Sequence, residues 1–267
     1  MLLLGKEIAN KIIEELKPVA ARQKRCLAIV QVGQNEVSSS YVRKKQEKAA
    51  ELGVKVKLER LTDSLSENEL NKAVSKVAAQ EEVDGMIVQL PLPSHVAMQA
   101  VLDCIPPEKD VDVLSSSAFG KFVLGGLMQP PVVSAVARLL QEARVKLQGS
   151  EVTVVGAGRL VGLPLAIWLI QQKATVHMAT AHTKNLAALT KKSDIVISGA
   201  GRPYLIQGGM IKKGVVVIDV GAALDNNQIK GDVDTESVEK VARAVAPVPG
   251  GVGPLTVAYL LRNLFSL

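Results

Sequence analysis

VTVVGAGRLVGLP, residues 152–164, is the stretch on which the fold turns. Its first four residues are all β-branched, the composition of a strand buried on both faces of a parallel sheet. Glycines follow at 156, 158 and 162, then Pro164 and an apolar run to Ile170. Residues 152–170 carry a single charge, Arg159, and by hydropathy alone resemble a membrane span. Three glycines and a proline placed directly after a β-branched run read instead as strand, tight turn and helix. The spacing G-x-G-x-x-x-G is one residue longer than the usual dinucleotide fingerprint. Backbone N–H groups of such a turn can approach a pyrophosphate closely, and the helix N-terminus adds partial positive charge. The same turn also serves as a plain structural element of other α/β folds, so on its own it leaves both readings open.

Downstream, the informative feature is an absence. Ordinary NAD sites place Asp or Glu about twenty residues beyond the glycines, to accept from the ribose 2′-hydroxyl. From Val152 through Ser193 this chain has no acidic residue, while Arg159, Lys173, Lys184, Lys191 and Lys192 fall in the same span. A carboxylate there would repel a 2′-phosphate, and these residues would not, so NADP is expected over NAD if a dinucleotide binds. His182 and Thr183 fit either that ligand or a helix cap. Short apolar strand signals recur at Glu151–Val155, 175–178, 194–198 and 215–220, with a helix over 132–143 and another over 256–264. This is one α/β unit.

A second lies upstream. Helical periodicity covers Gly5–Arg22, and Cys26–Val32 reads as a buried strand ending at Gly33. Residues 34–40 are polar and predict a loop with a helix N-cap, followed by a helix over 41–52, an alternating strand over 54–61 and a helix over 66–79. Ser66 followed by Glu69 is a capping-box pattern. Gly85–Gln89 is another buried strand, closed by residues 90–93, and composition breaks follow at 115–117 and 125–126. Strand–helix alternation demands a parallel sheet covered by helices. The expected fold is α/β, two α/β domains, the second a Rossmann-type parallel sheet, with a cleft between them.

Composition narrows the classes further. At 267 residues, 48% apolar and 22% charged, the chain has enough for two packed domains or one large one and excludes disorder. Only 3% is aromatic, too few rings for the stacked platform of a single-stranded nucleic-acid reader. The net charge of +6 suits an anionic small molecule as well as a nucleic acid. Cys26 and Cys104 stand apart with no metal-ligand spacing and are expected as buried reduced thiols. The apolar start is interrupted by Lys6 and Glu7 before a secretion signal can form, so a cytoplasmic protein is expected, with neither membrane nor metal.

The candidate chemistry lies in the upstream unit. Tyr41 and Lys45 are spaced i, i+4 and share a helix face, although Lys45 also reads as one solvated lysine in a run with Arg43, Lys44 and Lys48. Gln89 sits at the C-terminal end of a predicted strand, where open α/β sheets bind ligands. Asp112 lies in the acidic loop Lys109-Asp110-Val111-Asp112, which also reads as a cap or turn.

In order, the chain runs VG-x(7)-Y-x-x-x-K, VQLPLP, PP-x-KDVD, the glycine loop, GDVD and PVPGGVGPLT. This order resembles the bifunctional methylenetetrahydrofolate dehydrogenase/methenyltetrahydrofolate cyclohydrolase family, from Gly33 through Thr256. The resemblance implies a folate domain over 1–120, rejoined by 250–267, and a Rossmann NADP-binding domain over 121–249. It also implies a homodimer, tetrahydrofolate derivatives as substrates and no nucleic-acid partner. Carried over, Lys45, Gln89 and Asp112 would be catalytic: the lysine moving a proton, the glutamine assisting it, the aspartate anchoring the pterin. Tyr41, Val88, Leu90, Pro249, Gly250, Gly251 and Gly253 would contact substrate. Gly156, Ala157, Gly158, Arg159, His182, Thr183, Lys184, Ala222 and Thr256 would hold the cofactor.

The sequence departs from the family pattern at four places. Val113 stands where the family's DVDG motif has glycine, and a branched residue is expected to exclude φ > 0 there. Pro130-Pro131-Val132-Val133 lacks the family's threonine and second proline. Ala157-Gly158 replaces an arginine–serine pair, leaving Arg159 as the substitute cation, and Ala222 replaces an isoleucine. These changes crowd toward the cofactor side. They raise as alternatives a relative that keeps only the cyclohydrolase step and a non-catalytic folate-binding protein.

Overall fold

The computed structural model describes residues 1–34, 36–225 and 228–267. They form two compact units, one of residues 10–131 and 257–267, the other of residues 1–9 and 132–256. The expected division lay near 120 and 250. The observed one places residues 1–9 in the second unit, because Leu3 N–H donates to Val245 O at 2.8 Å and Val245 N–H to Met1 O at 2.9 Å.

In the first unit, α1 (Gly5–Arg22), which begins in the second unit's residues, leads to β1 (Cys26–Val32), α2 (Glu36–Glu51), β2 (Lys55–Leu61), α3 (Glu67–Ala78) and β3 (Gly85–Gln89). The three strands form a parallel sheet in the order β2-β1-β3, with Ile29 of β1 beside Leu58 and Ile87. Every residue of β1 is buried, as the central strand of a covered parallel sheet must be. Its core joins Ala28 and Val30 to Leu70, Val74 and Val77 of α3. The Ser66 hydroxyl and the Glu69 carboxylate cap α3 reciprocally, as the sequence predicts.

Two short helices complete this unit, α4 (Met98–Leu102) and α5 (Ser116–Val123). The expected break at 115–117 is in fact the start of α5: Ser115 is its N-cap and accepts from Ala118 N–H at 3.3 Å. Serine runs mark helix starts as readily as linkers. Helix α2 begins before the predicted residue 41, so the serines of the expected 34–40 loop are already helical; Asn35 lies outside the described residues. Cys26 is buried as expected, but Cys104 is only half-buried, its thiol donating to Ala100 O at 3.4 Å.

The second unit runs α6 (Pro131–Glu142), β4 (Glu151–Val155), α7 (Gly162–Gln171), β5 (Thr175–Ala179), α8 (Leu186–Thr190), β6 (Ile195–Ser198) and β7 (Val216–Asp219). A hairpin follows, β8 (Ala223–Asp225) and β9 (Gln228–Lys230), then α9 (Thr235–Glu239) and β10 (Ala244–Ala246). Five parallel strands are ordered β10-β7-β6-β4-β5. The chain steps outward from β4 to β5, then returns to the other side of β4 for β6. Adjacent strands β4 and β6 therefore bracket the point where the strand order reverses, and their C-terminal ends face the crevice where such sheets bind ligands. The last helix, α10 (Val252–Leu264), starts earlier than the predicted residue 256, so Gly253 and Thr256 lie in its first turns. Its final residues return to the first unit, where Asn263 Nδ2 donates to Val111 O at 2.9 Å and Gln129 O at 3.0 Å.

Candidate active site

Helix α2 turns Val42 and Ala49 into the core, at 2% and 0% exposure. Lys45 lies between them on the same side of the helix, so its ammonium is drawn inward rather than solvated with its basic neighbours. Its Nζ donates to Gln89 Oε1 at 3.0 Å, and Gln89 Nε2 in turn donates to Leu90 O at 2.9 Å, fixing the amide's orientation. Burial holds the Lys45 ammonium below the ordinary lysine value, with Asp112 pulling the other way. Burial likewise raises the Asp112 carboxyl, opposed by Lys45, while Asp110 pushes it further up. Lys45 and Gln89 thus form one half-buried polar pair, with the Asp112 carboxyl near enough to act on the lysine.

Tyr41 is half-buried one turn before Lys45, and Lys44 Nζ stands 5.7 Å from its ring centroid. Val88 is 2% exposed and belongs to the core under the sheet, leaving only its backbone for a ligand; Leu90 is half-buried beside it.

Asp112 reaches this cluster because its segment runs along the edge of β3, where Met86 N–H donates to Lys109 O at 2.6 Å. Asp110, not Asp112, is the residue that organises the turn. It is fully buried and accepts from Val113, Leu114 and Ser115 N–H at 2.9, 2.9 and 2.7 Å. The expectation that Val113 excludes a positive φ is corrected here: its φ is +59° and its side chain is buried. The left-handed conformation costs an L-residue about 1–2 kcal/mol. Three N–H groups held by one buried carboxylate oppose that cost, so the glycine conformation survives without the glycine.

In the second unit, the turn after β4 opens α7 at Gly162, as predicted. Gly156 has φ +96°, and a Cβ there would stand 2.6 Å from Gly199 O; around Gly158 a Cβ would meet nothing within 4 Å. One glycine is thus demanded by the protein's own packing, while the other leaves an open face. Ala157 is exposed and Arg159 half-buried on that turn. After β5, His182 and Lys184 are exposed, and Thr183 Oγ1 accepts from Thr180 N–H at 2.9 Å, so Thr183 closes a local turn whatever else it does. The cap of α8 is Asn185, not His182 or Thr183. Ala222 is exposed beyond β7. An open glycine face at the N-terminus of a helix, in a stretch from Val152 through Ser193 that carries lysines and an arginine but no acid, fits a phosphorylated dinucleotide.

Pro249, Gly250, Gly251 and Gly253 lie in the second unit, where Gly251 N–H donates to Pro247 O at 2.8 Å and Gly250 O accepts from Gly5 N–H at 2.8 Å. Thr256 Oγ1 donates to Gly253 O at 2.7 Å inside α10. Besides Asp110, Asp219 and Asp232 are fully buried; their signals in the sequence are the Asp-Val-Gly that begins at the end of β7 and the GDVD motif.

Residues 3–112 match the catalytic domain of tetrahydrofolate dehydrogenase/cyclohydrolase, and residues 130–267 match its NAD(P)-binding domain. The bifunctional protein FolD of Hydrogenobaculum sp. is 41% identical over 263 residues, covering 97% of this chain and 94% of that protein. Among solved structures, the bifunctional FolD of Campylobacter jejuni has a TM-score of 0.94 at 36% identity, covering 100% of this chain and 97% of that one. The Trypanosoma brucei methylenetetrahydrofolate dehydrogenase-cyclohydrolase, complexed with NADP cofactor and inhibitor, has a TM-score of 0.95 at 34% identity with the same coverage. With both halves matched and likeness running from end to end, the chain belongs to the tetrahydrofolate dehydrogenase/cyclohydrolase family.

Proposed function

We propose that this protein oxidises 5,10-methylenetetrahydrofolate to 5,10-methenyltetrahydrofolate with NADP and hydrolyses the product to 10-formyltetrahydrofolate, with Lys45 moving the proton in the second step. The observation that carries the residue assignment is the Lys45–Gln89 hydrogen bond of 3.0 Å in a buried setting that favours the neutral amine. Water adding to the methenyl carbon must lose a proton, and a ring nitrogen must gain one as the bridge opens. A neutral amine can take the first proton and deliver the second; an ordinary ammonium takes none. Gln89 holds Nζ in position, Asp112 offers an acceptor to the donor-rich edge of a pterin, and Tyr41 flanks its flat face. Pro249, Gly250, Gly251 and Gly253 are assigned to substrate from the family resemblance.

When bound, NADP supplies the hydride acceptor. The residues we assign to hold it are the 156–159 turn, the 182–184 segment, Ala222 and Thr256. That step needs orientation more than acid or base, which the rigid turn packed on Gly199 provides. Val113 keeps a φ of +59°, so this departure from the family's glycine leaves the backbone of the Asp112 loop in a left-handed conformation.

We further assign a homodimer and a cytoplasmic location. Leu160, Leu163 and Ile170 form an exposed apolar row before and along α7, beside the sheet-edge strand β5. Both cysteines are free, and no helix among the described residues is long and apolar enough to cross a membrane.

Replacing Lys45 tests the assignment. Lys45→Met should lower methenyltetrahydrofolate hydrolysis by about 100-fold or more while leaving NADP affinity intact. Hydrolysis at the parent rate would refute Lys45 as the proton carrier.

A further inference from the structure

Two fully buried carboxylates have no part in the chemistry above. Asp219 ends β7, and Asp232 belongs to Gly231-Asp232-Val233-Asp234. Asp232 accepts from Ser198 Oγ at 2.8 Å, Ala200 N–H at 2.6 Å and Arg202 N–H at 2.7 Å. Asp219 accepts from Gly221 N–H at 3.0 Å, Asp232 N–H at 3.1 Å and Val233 N–H at 2.9 Å. A carboxylate is tolerated in a protein interior only where donors compensate its lost hydration. Here the donors come from the ends of β6 and β7 and from the loop that carries Asp232 itself.

The segment after β6 is in turn packed against the glycine turn. A Cβ on Gly156 would stand 2.6 Å from Gly199 O and 3.0 Å from Ala200 Cα, so any shift of residues 199–200 moves the floor of that turn. The segment after β7 carries exposed Ala222 next to Gly221, and Gly221 is pressed so tightly on the Asp232 carboxylate that no side chain fits there. Asp219 and Asp232 are therefore linked to each other and to both loops that flank the crevice at the strand-order reversal. Burial, with Asp232 beside it, pushes the Asp219 carboxyl up to about 7 against the pull of its three N–H donors.

We propose that Asp219 and Asp232 form a buried clasp that sets the 199–202 and 221–222 loops for the dinucleotide, acting as positioning residues that do not touch it. This rests on the assignment of NADP to the second unit. Neither residue contributes to the cluster around Lys45, so the two activities of one preparation separate a local effect from general damage.

The test is calorimetric NADP binding to the purified protein, paired with cyclohydrolase rates measured without NADP. Asp232→Asn keeps the shape but turns one acceptor into a donor facing the N–H groups. It should weaken NADP binding by about 10-fold or more while the cyclohydrolase rate stays within about twofold. Ser198→Ala, which deletes one donor and leaves the backbone intact, should shift NADP affinity in the same direction by a smaller factor. Dehydrogenase kcat at saturating NADP should fall less than KM for NADP rises. Parent-like NADP affinity in both variants overturns the clasp, as does an equal fall of both activities in Ser198→Ala. If Asp232→Asn fails to fold, Ser198→Ala alone decides. A parent protein that binds no NADP overturns the cofactor assignment and the clasp with it.

Discussion

Lys45 differs from Lys44 and Lys48 in where α2 places it, between buried Val42 and Ala49 and within reach of Gln89. That placement has a pH consequence. If the neutral amine is the working form, the cyclohydrolase rate rises with pH through the lowered lysine value and levels off below the ordinary 10.5. Val113 makes a second case at the level of single side chains. Glycine usually loses about 0.5–1 kcal/mol to alanine inside regular structure, but at φ +59° alanine bears a left-handed penalty of about 1–2 kcal/mol that glycine escapes. Both replacements empty the same buried site, so the comparison isolates the backbone. Val113→Gly should melt no lower than Val113→Ala; a clearly lower melting temperature for the glycine variant would show that the turn is unstrained. Asp110 could not be told from Asp112 in the sequence. Both are aspartates two apart in one loop, and only the register of that loop on β3 decides which one turns inward.

Strands, helices and turns were read more securely than their boundaries. Buried strands such as β1, β3 and β4 announce themselves because a parallel sheet covered on both faces selects near-continuous apolar runs. The starts of α2 and α5 were obscured because serine clusters both end loops and open helices. The hairpin β8–β9 and the short strand β10 are three residues each, too short for any periodicity to register. The glycine turn was legible as a motif, but its division of labour was not, since sequence does not say which glycine meets protein and which faces open space. That division is testable. Gly158→Ala should leave thermal stability nearly unchanged and weaken NADP binding, whereas Gly156→Ala, pressed on Gly199 O, should lower stability as well. Equal loss of stability in the two variants would contradict this reading.

Across the chain as a whole, aromatic rings are few, and part of the excess of six positive charges falls in the acid-free span from Val152 through Ser193. It suits a phosphorylated cofactor and folates, both anions, without invoking a nucleic acid. The apolar row Leu160, Leu163 and Ile170 bears on assembly. The parent should sediment at about twice the 28.3 kDa chain mass, and Ile170→Glu should shift it toward monomer, because a buried unpaired charge opposes association. A monomeric parent would refute the dimer. Composition alone, with its few rings, excludes stacking platforms; the order of motifs from Gly33 through Thr256 joins the lysine cluster and the glycine turn in one family, and the match of both domains shows that family.

The most direct measurement of that central claim takes one preparation and follows two reactions: NADP reduction with 5,10-methylenetetrahydrofolate, and hydrolysis of 5,10-methenyltetrahydrofolate. Both should proceed well above the uncatalysed rates, the first with NADP preferred to NAD, and Lys45→Met should abolish the second. Neither reaction exceeding background, or hydrolysis indifferent to Lys45, would contradict it.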